Sequence, residues 1–477
     1  MPHDSVEPNT TPAESAATLR GMENLDELEA PQPVESDETR LSLEGAHPRQ
    51  SKDEDTGPDD YDQLERDVSH VDEIAAPSPV EDRRTEDLEE VRSGSQRATP
   101  SPSKPAPSSA KQRLALLYTL SYLVFMSILG TLARLGLQAI TIYPGAPVAL
   151  GEIWANVAGS LAMGFLAEDR SLFRRDLDAA TQRAAKKEDD GSSGDAQQQQ
   201  QQQQALRKEQ LTIKKGIPLY VGLTVGFCGS FTTFSSFMRD AFLALSDDLN
   251  TATTSVRSAA PAARPRNDGY SVEAVLAVLI LEVAASLAAL DFGAHLALFV
   301  EPLLERLPRL EDGSLRAILD PTVAFVAWAA WLGAVLMAVW PPHDAWRGQA
   351  VFALVFAPVG CLLRFYLSLW LNGRVPRFPL GTFAANVGGT YVLGMAFDLQ
   401  HSVARNVVGC QVLQGIEDGF CGCLTTVSTW VLELKTLRRG HAYVYGVVSV
   451  AVALGGLVAI MGGLRWSEGF AAIVCKV

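Results

Sequence analysis

The chain has 477 residues, 47 % of them hydrophobic, and a formal net charge of −15. Residues 1–112 hold 27 Asp/Glu against 11 Lys/Arg, so the remainder is close to neutral and the acidity belongs to a tail. That balance excludes a uniformly acidic soluble protein, and no nucleic-acid partner is expected.

In chain order, residues 1–112 are rich in Ser, Pro, Asp and Glu without apolar periodicity. Such a segment cannot bury enough apolar surface to offset its ordering entropy, which predicts a disordered cytoplasmic tail. Beyond it, apolar stretches long enough for a bilayer core, about 20 residues, occupy 114–142, 147–167 and 216–246, then 271–300 and 321–340. Four more follow at 347–371, 378–398, 410–437 and 441–464. The expected layout is a first membrane repeat at 113–300 and a linker at 301–346 containing one span. A second repeat at 347–464 and a short tail at 465–477 complete it. Residues 168–213, with Gln197–Gln204, read as a solvated insertion.

Basic residues collect in cytoplasmic loops. With the N-terminus inside, Lys111, Arg113, Arg170, Arg174, Arg175, Lys214, Lys215, Arg306, Arg309, Arg316, Arg374, Arg377, Lys435, Arg438 and Arg439 all fall inside. The long loop 247–270, with three arginines, is the exception. The six cysteines are expected to be small packing residues rather than a disulfide framework, and none sits at zinc spacing.

Three motifs occur twice. Gly130-x-x-x-Arg134 recurs as Gly360-x-x-x-Arg364, and Asn156-Val-Ala-Gly159-Ser160 as Asn386-Val-Gly-Gly389-Thr390, both at an offset of 230. Gly226-Phe-Cys-Gly229-Ser-Phe-Thr232-Thr233-Phe234-Ser235-Ser236-Phe237 recurs as Gly419-Phe-Cys-Gly422-Cys-Leu-Thr425-Thr426-Val427-Ser428-Thr429-Trp430 at an offset of 193; the first copy's insertion explains the difference. A single span between two four-span copies reverses the second. The expected fold is therefore an all-α membrane protein, an inverted-topology repeat of nine spans with a broken third helix in each half.

Glycines near Gly229 and Gly422 fit either close helix packing or freed backbone carbonyls. Phe234 and Phe237, three apart, share a helix face. Their positive ring edges suit an anion as well as they suit an apolar core. Asn156 and Asn386 are intramembrane amides, able to donate to an anion or to bind two helices together. Arg134 and Arg364 are expected in opposite vestibules, attracting anions, or else snorkelling to the interface.

Over residues 113–464 these motifs resemble the Fluc/CrcB fluoride channel family, and the two-copy chain resembles its eukaryotic branch of fluoride export proteins. The resemblance implies a passive fluoride channel and no enzymatic activity. It implies a monomeric two-repeat unit in the plasma membrane, partnered by fluoride and the lipid bilayer. Asn156, Asn386, Phe234 and Phe237 would line the pathway, with Ser235, Ser236, Ser428 and Thr429 as a hydroxyl track. A structural Na+ would sit on the carbonyls of Gly229, Thr232, Gly422 and Thr425. Val427 and Trp430 depart from the family's phenylalanines, so one working and one degenerate pore are expected. A secondary carrier and a scaffold acting through the tail are the alternatives.

Overall fold

In the computed structural model, residues 109–143, 148, 150–169, 214–249, 268–304, 313–341, 343, 346–402, 406–473 and 475 are described. The expected tail up to residue 108 and the glutamine-rich insertion from 170 to 213 lie outside them. Among the described residues the fold is all-helical.

The first helix, α1 (Ser109–Thr141), starts four residues inside the stretch assigned to the tail. It is followed by α2 (Ile153–Glu168). Pro218–Val221, a π-type segment Gly222–Cys228 and Gly229–Phe231 make one helix, α3. After a break come α4 (Phe234–Leu245), α5 (Asp268–Leu304) and α6 (Gly313–Val339). A π-type turn Arg347–Val351 leads into α7 (Phe352–Leu371), and α8 is Leu380–Ser402. Val407–Gly415, a π-type segment Ile416–Cys421 and Gly422–Leu424 form α9. A second break precedes α10 (Ser428–Thr436) and α11 (Arg439–Ser467).

Six helices are long and apolar enough to cross a bilayer: Arg113–Thr141, Pro218–Leu245, Gly269–Leu303, Arg316–Val339, Arg347–Arg374 and Arg439–Ser467. The stretches expected at 147–167, 378–398 and 410–437 are not among them. The first of these is helical only from Ile153, for 16 residues. In α8, Thr382, Asn386, Thr390 and Gln400 are all buried and lower its hydropathy. The third carries Glu417, Asp418, Glu433 and Lys435, which lower its hydropathy.

Small residues set the helix spacing, as expected where lipid tails compete with apolar side chains. A Cβ on Gly164 of α2 would collide with the Leu290 carbonyl of α5, and one on Gly293 of α5 with the Leu161 carbonyl of α2. Gly130 of α1 lies against the main chain of Phe227 and Phe231, and Gly360 of α7 against that of Phe420 and Leu424. The linking helix α6 packs on α1 and α7. Trp328 Nε1 donates to Ser121 Oγ (3.0 Å) and Trp331 Nε1 to the Val355 carbonyl (2.9 Å). Its outer face, with Phe325 76 % exposed, is the apolar surface lipid would cover.

The two copies exchange their post-break helices. α4 packs on α8 and α11 as well as α5, and α10 packs on α2 and α5 as well as α11. Two ion pairs also cross between copies, Lys435 with Asp291 and Arg465 with Asp248.

One expectation is corrected. Cys410 and Cys475 form a disulfide across a sequence separation of 65, while Cys228, Cys361, Cys421 and Cys423 stay buried and free. Nothing in the spacing of the six residues marks that pair, because chain folding alone brings residue 475 back to the start of α9.

Candidate functional site at the paired helix breaks

The breaks fall on threonines rather than on the glycines. Thr232 (φ −92°, ψ 152°) and Thr233 (φ −144°, ψ 125°) are extended, as is Thr425 (φ −93°, ψ 155°). Gly229 and Gly422 remain helical. Their lack of a side chain serves a close approach instead: a Cβ on Gly229 would strike the Arg364 guanidinium, and one on Gly422 that of Arg134.

Each extended segment is clamped by the asparagine of its own copy. Asn156 Oδ1 accepts the Thr233 N–H (2.9 Å) and its Nδ2 donates to the Thr233 carbonyl (3.3 Å). Asn386 does the same with Thr426, at 2.8 and 3.1 Å. Three residues beyond each asparagine, Gly159 and Gly389 make room for the methyl groups of Thr232 and Thr425. The spacing Asn-x-x-Gly therefore reads as one clamp and one recess for a Thr-Thr pair.

The restarted helices are capped from the opposite copy. Thr425 Oγ1 accepts the N–H groups of Phe234 and Ser235, both at 3.1 Å, at the start of α4. Thr232 Oγ1 accepts those of Val427 (3.2 Å) and Ser428 (3.1 Å) at the start of α10. A side-chain oxygen at a helix start satisfies donors that the helix itself leaves open. Here the oxygen that serves the first two donors of each helix comes from the other copy. Hydroxyl contacts knit the knot further: Thr233 Oγ1 with Thr425 Oγ1 (3.1 Å), Thr232 Oγ1 with Thr426 Oγ1 (3.1 Å), and Ser428 Oγ to the Cys228 carbonyl (3.2 Å).

These diversions free carbonyls. In an unbroken helix Gly229, Ser230 and Phe231 would accept from residues 233, 234 and 235, whose N–H groups go instead to Asn156 and Thr425. Gly422, Cys423 and Leu424 lose residues 426, 427 and 428 in the same way. The arginines satisfy part of this set. Arg364 Nε donates to Cys423 O and its Nη2 to Val225 O, both at 2.8 Å. Arg134 Nε donates to Ser230 O (3.4 Å) and its Nη2 to Asp418 O. Both side chains are buried, so they bind the two broken helices together rather than standing in open vestibules.

Phe234, Phe237 and Trp430 form an edge-on aromatic cluster. Phe234 and Phe237 lie 5.7 Å apart at 86°, and Phe234 and Trp430 lie 5.3 Å apart at 64°. All three are buried, as is Val427. Of the hydroxyl track, Ser235 Oγ contacts Thr425 Oγ1 (3.0 Å), and Ser236 Oγ accepts from Thr233 Oγ1 (3.4 Å). Thr429 contributes a main-chain N–H to Thr426 Oγ1 (3.4 Å).

Two buried acids near this site had no role in the sequence reading. Glu433 of α10 accepts from Thr382 Oγ1 (2.6 Å) and from the Tyr445 hydroxyl (2.7 Å), so both its oxygens are partnered. Among the described residues, Glu282 of α5 accepts only from Asn156 Nδ2 (3.1 Å), leaving Oε1 buried without a partner. The signal was present, an acid inside an apolar span; its partner on another helix was not.

A polytopic helical membrane protein with two interlocked broken helices is the architecture of an ion pathway rather than of an anchor. Comparison with known proteins makes this specific. The family described as "CrcB-like protein, Camphor Resistance (CrcB)" matches residues 121–294 and 351–464, and the chain belongs to that family. It is 55 % identical to "Fluoride export protein 1" of Neurospora crassa, over 75 % of this chain and 69 % of that protein. It is 33 % identical to "Fluoride export protein 1" of Candida albicans, over 73 % of this chain and 80 % of that protein. A bacterial "Fluoride-specific ion channel FluC" from Geotalea daltonii is 38 % identical over 22 % of this chain and 86 % of its own length. No solved structure matches.

Proposed function

We propose that the chain is a passive, fluoride-selective channel that exports cytosolic fluoride. Family membership and the names of its relatives support fluoride as the ion. The observation that carries the mechanism is the state of the two clamp asparagines. A side-chain amide has two N–H donors. Among the described residues, Asn386 uses one on Thr426 and keeps the other without an acceptor, whereas Asn156 uses both. The working route is accordingly the one past Asn386, where α4, which carries Phe237, packs against α8 and α11. The Asn156 route, facing Trp430 on α10, is the degenerate one.

A small, strongly hydrated anion needs its water replaced in a narrow path. The unused N–H of Asn386, positive ring edges and the hydroxyls beside the break can do that while a larger chloride fits poorly. An inside-negative membrane potential drives the anion outward by about 2.3 kcal/mol per charge per 100 mV, so no nucleotide is required.

Nine spans in an inverted repeat, N-terminus cytoplasmic, accord with the single linking helix and with the disulfide. In that topology residues 410 and 475 both lie outside, and disulfides persist in oxidising compartments. The chain would act as a monomer in the plasma membrane. The carbonyls of Gly229, Thr232, Gly422 and Thr425 have no protein donor among the described hydrogen bonds, which fits a hard cation such as Na+. If bound, it would supply positive charge between the breaks, alongside the guanidinia of Arg134 and Arg364.

Purified protein in liposomes under a potassium diffusion potential should release fluoride, read with a fluoride electrode, and retain chloride. Equal fluxes of the two ions would refute the proposal.

A further inference from the structure

The two asparagines occupy equivalent positions, yet only one has an acidic neighbour. Asn156 Nδ2 donates to Glu282 Oε2 at 3.1 Å, and Glu282 is 1 % exposed. The amide cannot be turned around, because its Oδ1 is held by the Thr233 N–H. Glu282 therefore takes the one N–H that the Thr233 clamp leaves over. In either protonation state a carboxyl group has an oxygen able to accept that proton. In the second copy the corresponding last helix, α11, carries no Asp or Glu from Arg439 to Ser467, and among the described residues the equivalent N–H of Asn386 stays unpartnered.

The surroundings of Glu282 deepen the contrast. Its Oε1 has no partner, and neither do Ser160 Oγ, one turn beyond Asn156, and Ser286 Oγ, one turn beyond Glu282. The acids that bear on it electrostatically are Asp240 of α4 and Glu152 at the start of α2. On α10, which also packs against α5, the charged groups are Glu433, partnered by Thr382 and Tyr445, and Lys435, paired with Asp291. Among the described residues no cation contacts Glu282 on this face.

We propose that Glu282 silences the Asn156 route: by accepting the last amide proton of Asn156 it removes the donor a fluoride ion would take, and so determines that conduction runs past Asn386. This rests on the channel reading above and adds a residue that decides between its two routes.

Fluoride efflux from liposomes tests it. Asn386→Ala should lower flux by roughly tenfold or more, the scale of a lost hydrogen bond to an ion. Adding Glu282→Ala, or Glu282→Ser should the alanine protein elute as aggregate, should restore a clear fraction of that flux. Adding Asn156→Ala to the double variant should remove it again. Glu282→Gln should not rescue, since its amide oxygen still accepts the Asn156 proton. No rescue by either Ala or Ser in a monodisperse protein overturns the proposal, as does equal rescue by Gln. Failure of the channel reading looks different: the wild-type protein would show no fluoride flux, or chloride flux to match.

Discussion

Replacing Thr425 by Val keeps the side-chain shape and the methyl that fills the recess at Gly389, and removes only the hydroxyl. That oxygen accepts the N–H groups of Phe234 and Ser235 and donates to the Cys421 carbonyl at 2.9 Å. All of these contacts are buried, so no water replaces what is lost. Loss of an ordinary helix cap costs about 0.5–2 kcal/mol, and each buried N–H left without a partner costs about 1–3 kcal/mol. With two such donors the cost is about 2–6 kcal/mol, more than one helix cap, because a single oxygen serves two donors of the other copy. At about 2–4 °C per kcal/mol for a domain of 150–250 residues, the unfolding midpoint in detergent should fall by several degrees. Thr425→Ser, which retains the hydroxyl, should lose far less. Fluoride flux measured on the same samples should fall with the valine variant, since the start of α4 sets the position of Phe234 and Phe237. A Thr425→Val protein with an unchanged midpoint and unchanged flux would refute the idea that the two copies cap each other.

Two further outcomes follow, one from a contact between the copies and one from a crosslink within the second. Gly229→Ala places a methyl group where the Arg364 guanidinium lies, and that buried side chain is held by the Cys423 and Val225 carbonyls; the variant should express poorly or elute as aggregate, whereas Gly440→Ala, in open space, should behave as wild type. Cys410→Ser removes a crosslink over 65 residues, which in the chain-entropy description costs about 4 kcal/mol. In intact cells the partner thiol of that variant should react with a membrane-impermeant maleimide, and protection of it would place the C-terminal segment on the cytoplasmic side.

Much of this protein was legible in one dimension. Motif pairs at offsets of 230 and 193 reveal the duplication because each motif is a self-contained piece of local geometry. In both copies Asn-x-x-Gly clamps a Thr-Thr pair, and an amide buried in an apolar helix must find polar partners. Apolar runs likewise announce helices, since a bilayer leaves the backbone few other ways to satisfy itself. The glycines beside the breaks fit close packing or freed carbonyls in the sequence; in the fold they serve close packing, and the extended residues are threonines. What the sequence could not contain is the identity of partners across the fold. Arg134 was expected at a vestibule and instead meets the Asp418 carbonyl, 284 residues away. Thr425 caps a helix that begins 191 residues earlier, and Glu282 finds an amide 126 residues before it. Cys410 pairs with Cys475 only because α11 returns the chain to α9. Those pairings depend on which copy each post-break helix packs against, and that exchange is decided when the two halves close on each other in three dimensions. A repeat in sequence specifies two similar halves; their differences, one amide proton unused and the other taken by an acid, arise only where the halves meet their neighbours.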